Sequence, residues 1–192
     1  MIADDGHVPG ALPGFSKATP YFLISPAMGA NLTQLLIRFS AHGSALLPAD
    51  GIETTLSVQA GACKVRIGPE TRIFGPGGYA FCPAGHALEF SSARSGTAVT
   101  CFRKVFEPLE GSKAPAALFG DAKTVKGKPF LGNPRALRKT LLPDDFRYDL
   151  ALNIFTYEPG ATLPFVETHI MEHGLLMLGV RAFTDWKKTI TR

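Results

Sequence analysis

The sequence predicts an all-β fold, a sandwich or barrel of short strands joined by tight turns. Three observations carry that expectation. Glycine (20) and proline (15) break the 192 residues at short intervals. The apolar runs between those breaks are strand-sized and recur at the 8–12-residue spacing of β-sandwiches and barrels. Cys63-Lys64-Val65-Arg66-Ile67 alternates apolar and polar residues, as a strand with one buried face must.

In chain order, residues 1–20 are rich in Gly and Pro without a clear period and are expected to form an irregular arm. Tyr21-Phe22-Leu23-Ile24 is a short apolar run ended by Ser25-Pro26. A second run, Leu32 to Phe39, is expected to stop at His42-Gly43. Thr54 to Val58 alternates until Gly61, and Cys63 to Ile67 follows. Tyr79-Ala80-Phe81 lies between the turns Gly75-Pro76-Gly77-Gly78 and Pro83-Ala84-Gly85, and Ala98 to Phe106 gives a further strand. Residues 109–146 look like a connecting segment, in which Ala136 to Leu142 is compatible with one or two helical turns ended by Pro143. Leu150 to Tyr157 alternates again, and Pro159-Gly160 turns the chain. That succession suggests a second copy of the first module. The division expected is an arm at 1–20, a first module at 21–108, a connection at 109–146 and a partial second module at 147–192.

Composition excludes several functions. At 45% hydrophobic and 19% charged residues the chain is globular. No window holds 18 consecutive apolar residues, so no membrane span is expected. Met1-Ile2-Ala3-Asp4-Asp5 lacks the basic and apolar regions of a secretory leader. Three cysteines (Cys63, Cys82, Cys101) with no Cys-x-x-Cys pair point to free thiols and a cytoplasmic protein. Most of the +4 charge lies in residues 179–192, where Arg181, Lys187, Lys188 and Arg192 stand against Asp185. A nucleic-acid surface needs basic residues spread over a folded face, so no nucleic-acid partner is expected.

The chemistry concentrates in Gly160-Ala-Thr-Leu-Pro-Phe-Val-Glu167-Thr-His169-Ile-Met-Glu172-His173-Gly174. Side chains on an extended chain alternate faces, so Glu167, His169 and His173, all odd-numbered, would aim one way. One carboxylate and two imidazoles suit Mn, Fe or Zn, and no thiolate is near to bias the choice. A surface cluster of His and Glu is the bland alternative. His169-Ile-Met-Glu172-His173 also matches the His-x-x-Glu-His string of inverted zinc peptidases, which needs a helix. Pro159-Gly160, Pro164 and Gly174 argue against one.

Gly160-x6-Glu167-x-His169-x3-His173-Gly174 resembles the first motif of the cupin barrel. The stretch from Asn153 to Leu178 is similar to the second cupin of the (S)-ureidoglycine aminohydrolase family, bicupins of purine and allantoin catabolism. The strings Tyr21–Asn31, Gly51–Gly61, Gly77–His86 and Leu137–Gly160 resemble the same family in the same order. The resemblance implies a bicupin whose first cupin is complete and whose second is cut short. It implies a manganese-dependent hydrolase releasing ammonia from the small molecule ureidoglycine to give ureidoglycolate. Carried over by motif, Glu167, His169 and His173 would bind Mn2+, and Glu167 would also move protons. A homo-oligomer is expected. The first cupin should be metal-free, because Leu88 stands where its second motif would place a histidine, His86 is offset by two, and Glu53 has no histidine pair near it.

After Leu178 the chain departs from the family, which continues Glu-Gly-x-Gly-Ile-Tyr-Arg-Leu and supplies a fourth metal ligand further on. With suitable codons, one base inserted in the Gly179 codon turns Leu178 to Lys187 into Leu-Glu-Gly-Ser-Gly-Ile-Tyr-Arg-Leu-Glu. Residues 179–192 are therefore expected to be an out-of-frame tail, and this form of the enzyme to be inactive. The alternatives are a non-catalytic cupin binding or scaffold module, or another metal-dependent cupin enzyme.

Overall fold

The computed structural model describes residues 6–162 and 171–179. Twelve strands appear among them and no α-helix, as expected for an all-β protein. They are β1 (Phe15–Ile24), β2 (Leu32–Leu47), β3 (Ile52–Ala60), β4 (Cys63–Ile67), β5 (Glu70–Phe74), β6 (Gly78–Cys82), β7 (Leu88–Ser92), β8 (Thr97–Val105), β9 (Leu118–Asp121), β10 (Lys128–Phe130), β11 (Asn133–Thr140) and β12 (Asn153–Tyr157).

Nine strands form one sheet in the order β5-β4-β7-β2-β8-β3-β6-β9, with β1 also paired to β2. The sheet rolls into a cupin-type barrel. Its two end strands meet through stacked rings, Phe74 of β5 and Phe119 of β9, with centroids 6.2 Å apart. Gly78 makes room for that closure, since a Cβ there would lie 2.4 Å from the Phe74 side chain. Inward-facing residues alternate along each strand: Leu35, Ile37 and Phe39 of β2, Leu56 and Val58 of β3, Val65 of β4, Phe90 of β7 and Val99 of β8 are all at most 3% exposed and form one core. The interior is filled by side chains. Cys63, Cys82 and Cys101 are buried there as free thiols. Burial pushes the Cys63 and Cys82 thiols up to about 12 and the Cys101 thiol higher, so they are inert packing groups at neutral pH.

Three sequence expectations are corrected. The run from Leu32 does not stop at His42-Gly43. β2 bends there and continues, pairing with β8 through Phe39 and with β7 from Gly43. The positive φ of His42 (57°) and of Lys17 (50°) on the neighbouring β1 marks the bulge that turns both strands together. Ala136 to Leu142 is not helical: Ala136–Thr140 pairs antiparallel with Asn153–Tyr157, and that ladder overrides the helix propensity of Ala and Leu. β1 begins at Phe15, inside the arm expected to be irregular.

The stretch read as a connection is built into both sheets. β9 adds to the barrel beside β6, and β10-β11-β12 form a separate three-stranded antiparallel sheet. A small apolar cluster of Tyr79, Ala122 and Leu141, with Leu118, Leu152 and Ile154 against it, fills the seam between the sheets. Among the described residues no helix is long and apolar enough to cross a membrane.

Candidate functional site

The outer face of the barrel is where the described part of the chemical motif lands. On the strands around β8 the odd residues of β2 and β8 and the even ones of β3 point inward, so the opposite set forms an outer surface. Gln34 pairs with Phe102, Thr55 with both Phe102 and Phe81, and Glu53 with Lys104. This surface is covered: Gln34, Glu53, Thr55, Phe81 and Thr100 are all at most 2% exposed.

Residues 171–179 lie against one end of it. A 3-10 turn over Pro26–Met28 prepares the contact. Pro26 presets the first φ, and Gly29 closes the turn in the left-handed region (φ 85°) with its N–H on the Pro26 carbonyl. The chain then delivers Asn31, whose backbone N–H and Nδ2 donate to the two carboxylate oxygens of Glu172 at 2.7 and 3.1 Å. Gln34 Nε2 donates to the Leu175 carbonyl at 3.0 Å. Between them Gly174 packs so closely that a Cβ would lie 2.5 Å from Phe102 Cε1 and 2.9 Å from Gln34 Oε1. His173 and Glu172 line an open depression together with Ile24, Met28 and Leu32.

Of the sequence-predicted ligands, His173 is placed here, exposed on the rim of that depression. Glu167 and His169 lie outside the described residues. Among the described residues no three of His, Cys, Asp and Glu come together as a metal-binding group. The donor set of the motif still suits a divalent cation: a carboxylate and two imidazoles supply hard and borderline donors. Glu172, the other nearby carboxylate, is taken up by Asn31. The inverted zinc-peptidase reading loses its support, because Met171 to His173 carry no helix and its acidic residue is engaged with the first barrel.

The first barrel's own motif positions are occupied by structural residues. Leu88 is 1% exposed and belongs to the core. His86 is exposed, with Nδ1 3.3 Å from the Ala84 carbonyl. Glu53 does not enter the barrel. It lies on the covered outer face, and among the described residues neither carboxylate oxygen has a hydrogen bond of good geometry, the Asp149 backbone N–H being near but poorly aligned. Burial, with the Asp149 carboxylate adding to it, pushes the Glu53 carboxyl up to about 7; the Asp149 backbone N–H and Lys104 pull the other way. Lys104 Nζ pairs with the Asp149 carboxylate, which also accepts the Glu107 backbone N–H at 3.0 Å.

Sequence reasoning missed Asn31 and Gln34. Gln34 left a trace, a polar residue inside the apolar run from Leu32 to Ile37. Nothing local marks Asn31, whose partner lies 141 residues away.

No family model matches the chain. (S)-Ureidoglycine aminohydrolase of Escherichia coli (strain K12) is 28% identical over 181 residues, 93% of this chain and 69% of that protein. (S)-Ureidoglycine aminohydrolase of Arabidopsis thaliana is 29% identical over 182 residues, again 93% of this chain but 59% of the relative. Among solved structures, protein Ylba from E. coli superposes with a TM-score of 0.76 at 27% identity, covering 86% of this chain and 66% of that one. Along nearly its whole length the chain is thus similar to (S)-ureidoglycine aminohydrolases and shares the fold of Ylba, while spanning about three-fifths to two-thirds of their length.

Proposed function

We propose that this chain derives from a metal-dependent (S)-ureidoglycine aminohydrolase, a hydrolase that releases ammonia from ureidoglycine to leave ureidoglycolate. The observation that carries the proposal is similarity over 93% of the chain to proteins of that name, with Glu167-x-His169-x3-His173 inside the matched stretch. In this reading Glu167, His169 and His173 hold Mn2+. When bound, the cation supplies Lewis acidity that anchors the substrate's polar groups and stabilises the charge that develops as ammonia leaves. Glu167 accepts a proton from the attacking water and returns it to the departing nitrogen. His169 and His173 would each present an imidazole nitrogen to the cation. A cytoplasmic location and a homo-oligomer belong to the same proposal.

We propose further that the 192-residue polypeptide is inactive by itself, and that the reading frame shifts at Gly179. Two His and one Glu hold manganese loosely, because manganese lies at the weak end of the divalent series. An active site that leaves water and substrate unrestrained also forgoes the ~7 kcal/mol that positioning alone can supply. The test is ammonia release from freshly prepared ureidoglycine by two proteins, the chain as it stands and the product of a gene with the frame restored at Gly179. The expected outcome is activity only in the restored protein, and only with Mn2+. Full activity of the 192-residue chain would show the inactivity proposal to be wrong. Inactivity of both would favour a non-catalytic cupin binding or scaffold module, the reading that the side-chain-filled interior of the first barrel supports.

A further inference from the structure

We propose that Asn31 and Gln34 of the first barrel are positioning residues for His173, so that the barrel without metal-motif histidines orients the metal motif of the second module. The inference rests on the reading of His173 as a ligand.

The geometry brackets His173 on both sides. One residue before it, the Glu172 carboxylate takes two hydrogen bonds from Asn31, one from the backbone and one from the side chain. One residue after it, Gly174 lies against Phe102 and Gln34 with no space for a Cβ. Two residues after it, the Leu175 carbonyl accepts from Gln34 Nε2. Gln34 is 1% exposed, so its amide is a fixed anchor. Asn31 is fixed by the turn that ends at Gly29. Two hydrogen bonds to one carboxylate set its direction as well as its distance. Three attachments within four residues therefore fix the backbone from which the imidazole projects. Hydrogen bonds that orient a ligand-bearing segment govern metal affinity, and their loss typically costs 10–100-fold. Glu172 and Gly174, which the metal reading leaves without a role, acquire one here.

The test uses the full 192-residue chain and Mn2+ alone. Asn31 is exposed, so Asn31→Asp leaves the barrel core intact while removing the side-chain donor. The double variant Asn31→Asp with Glu172→Gln restores one donor and one acceptor with the roles exchanged. Mn2+ affinity is read by electron paramagnetic resonance, amide hydrogen exchange over residues 171–179 by mass spectrometry, and global folding by the thermal midpoint. The expected result for Asn31→Asp is affinity about tenfold weaker and faster exchange in that stretch at an unchanged midpoint, with both effects reversed in the double variant. Unchanged exchange in Asn31→Asp overturns the inference, and so does faster exchange with unaltered Mn2+ affinity. Absence of Mn2+ uptake by the 192-residue chain and by the frame-restored protein alike sinks the ligand assignment of His173 and this inference with it; where the restored protein alone takes up Mn2+, the same variants are read in that protein with the same expected and overturning results. Inactivity of the frame-restored enzyme despite tight Mn2+ binding would count against the proposed reaction alone.

Discussion

Glu53 keeps two carboxylate oxygens under a covered face with no well-formed hydrogen bond among the described residues. A buried carboxylate without partners is costly, and the group responds by holding its proton. Its pKa rises from 4.5 to about 7 in the folded chain, with Lys104 and Asp149 as the charged neighbours and Glu107 beyond them on Lys104. Below pH 4.5 the carboxyl is protonated in both states and folding loses nothing. Between 4.5 and about 7 the unfolded chain ionises first, so stability falls as pH rises through that window and levels off above it. The loss is on the order of 2–3 kcal/mol. Glu53→Gln removes the titration and should gain stability on the wild type by about that amount between pH 5 and pH 8. Urea unfolding of both proteins at the two pH values checks this, and a constant difference would refute it. Charge of this kind was visible in the sequence only as an acidic residue in a β run. Its burial depended on which parity of β3 faced inward.

β2 shows how a strand can be legible in substance and misread in extent. Leu35, Ile37 and Phe39 alternate as an inward face, and so do Ala45 and Leu47 beyond the bend. His42-Gly43 looked like a stop because Gly marks a turn and a bulge equally well in sequence. The structure decides by crowding: a Cβ on Gly43 would lie 2.3 Å from the Lys17 carbonyl oxygen and 2.9 Å from the Phe39 ring. Gly43→Ala should therefore destabilise the barrel by about 2 kcal/mol or more. Gly51→Ala, with nothing among the described residues within 4 Å of its would-be Cβ, should be close to neutral. Thermal melts of the two variants test the pair, and equal shifts would mean that the bend does not constrain β2. The same logic explains the helix expected at Ala136–Leu142 and the strand missed at Leu118–Asp121. Local propensity carried the first, and only pairing with β6 and β12 reveals what both segments become. The spacing of Glu167, His169 and His173 is what suggests the metal motif proposed above. The first-barrel groups that hold Glu172 and Leu175 could not be read in the same way, because hydrogen bonds across the chain leave no periodic trace.

At the scale of the whole molecule, the question is whether the barrel and the three-stranded sheet fold as one unit. Several ties join them. Tyr79, Ala122 and Leu141 share an apolar seam with Leu152 and Ile154. Lys139 Nζ donates to the Ala122 carbonyl at 2.7 Å. The Phe81 and Tyr148 rings meet edge to face at 5.0 Å, and Lys104 pairs with Asp149. Most of these ties come from the outer face of the barrel, whose buried residues would meet water if the rest of the chain were to detach. Exposing Phe81 and its neighbours costs roughly 25 cal/mol for each Å2 of apolar surface, so separation of the two sheets should carry a large share of the cost of unfolding. A single cooperative transition follows. Leu56→Ala cuts the barrel core and Leu141→Ala cuts the seam, both at sites no more than 5% exposed. Each should lower the stability of the same transition by about 2–5 kcal/mol. Denaturant unfolding followed by fluorescence and by circular dichroism should give coincident curves in wild type and in both variants. A Leu141→Ala protein that melts in two steps, with the barrel step left where the wild type has it, would show that the sheets are independent and that the seam is only a contact.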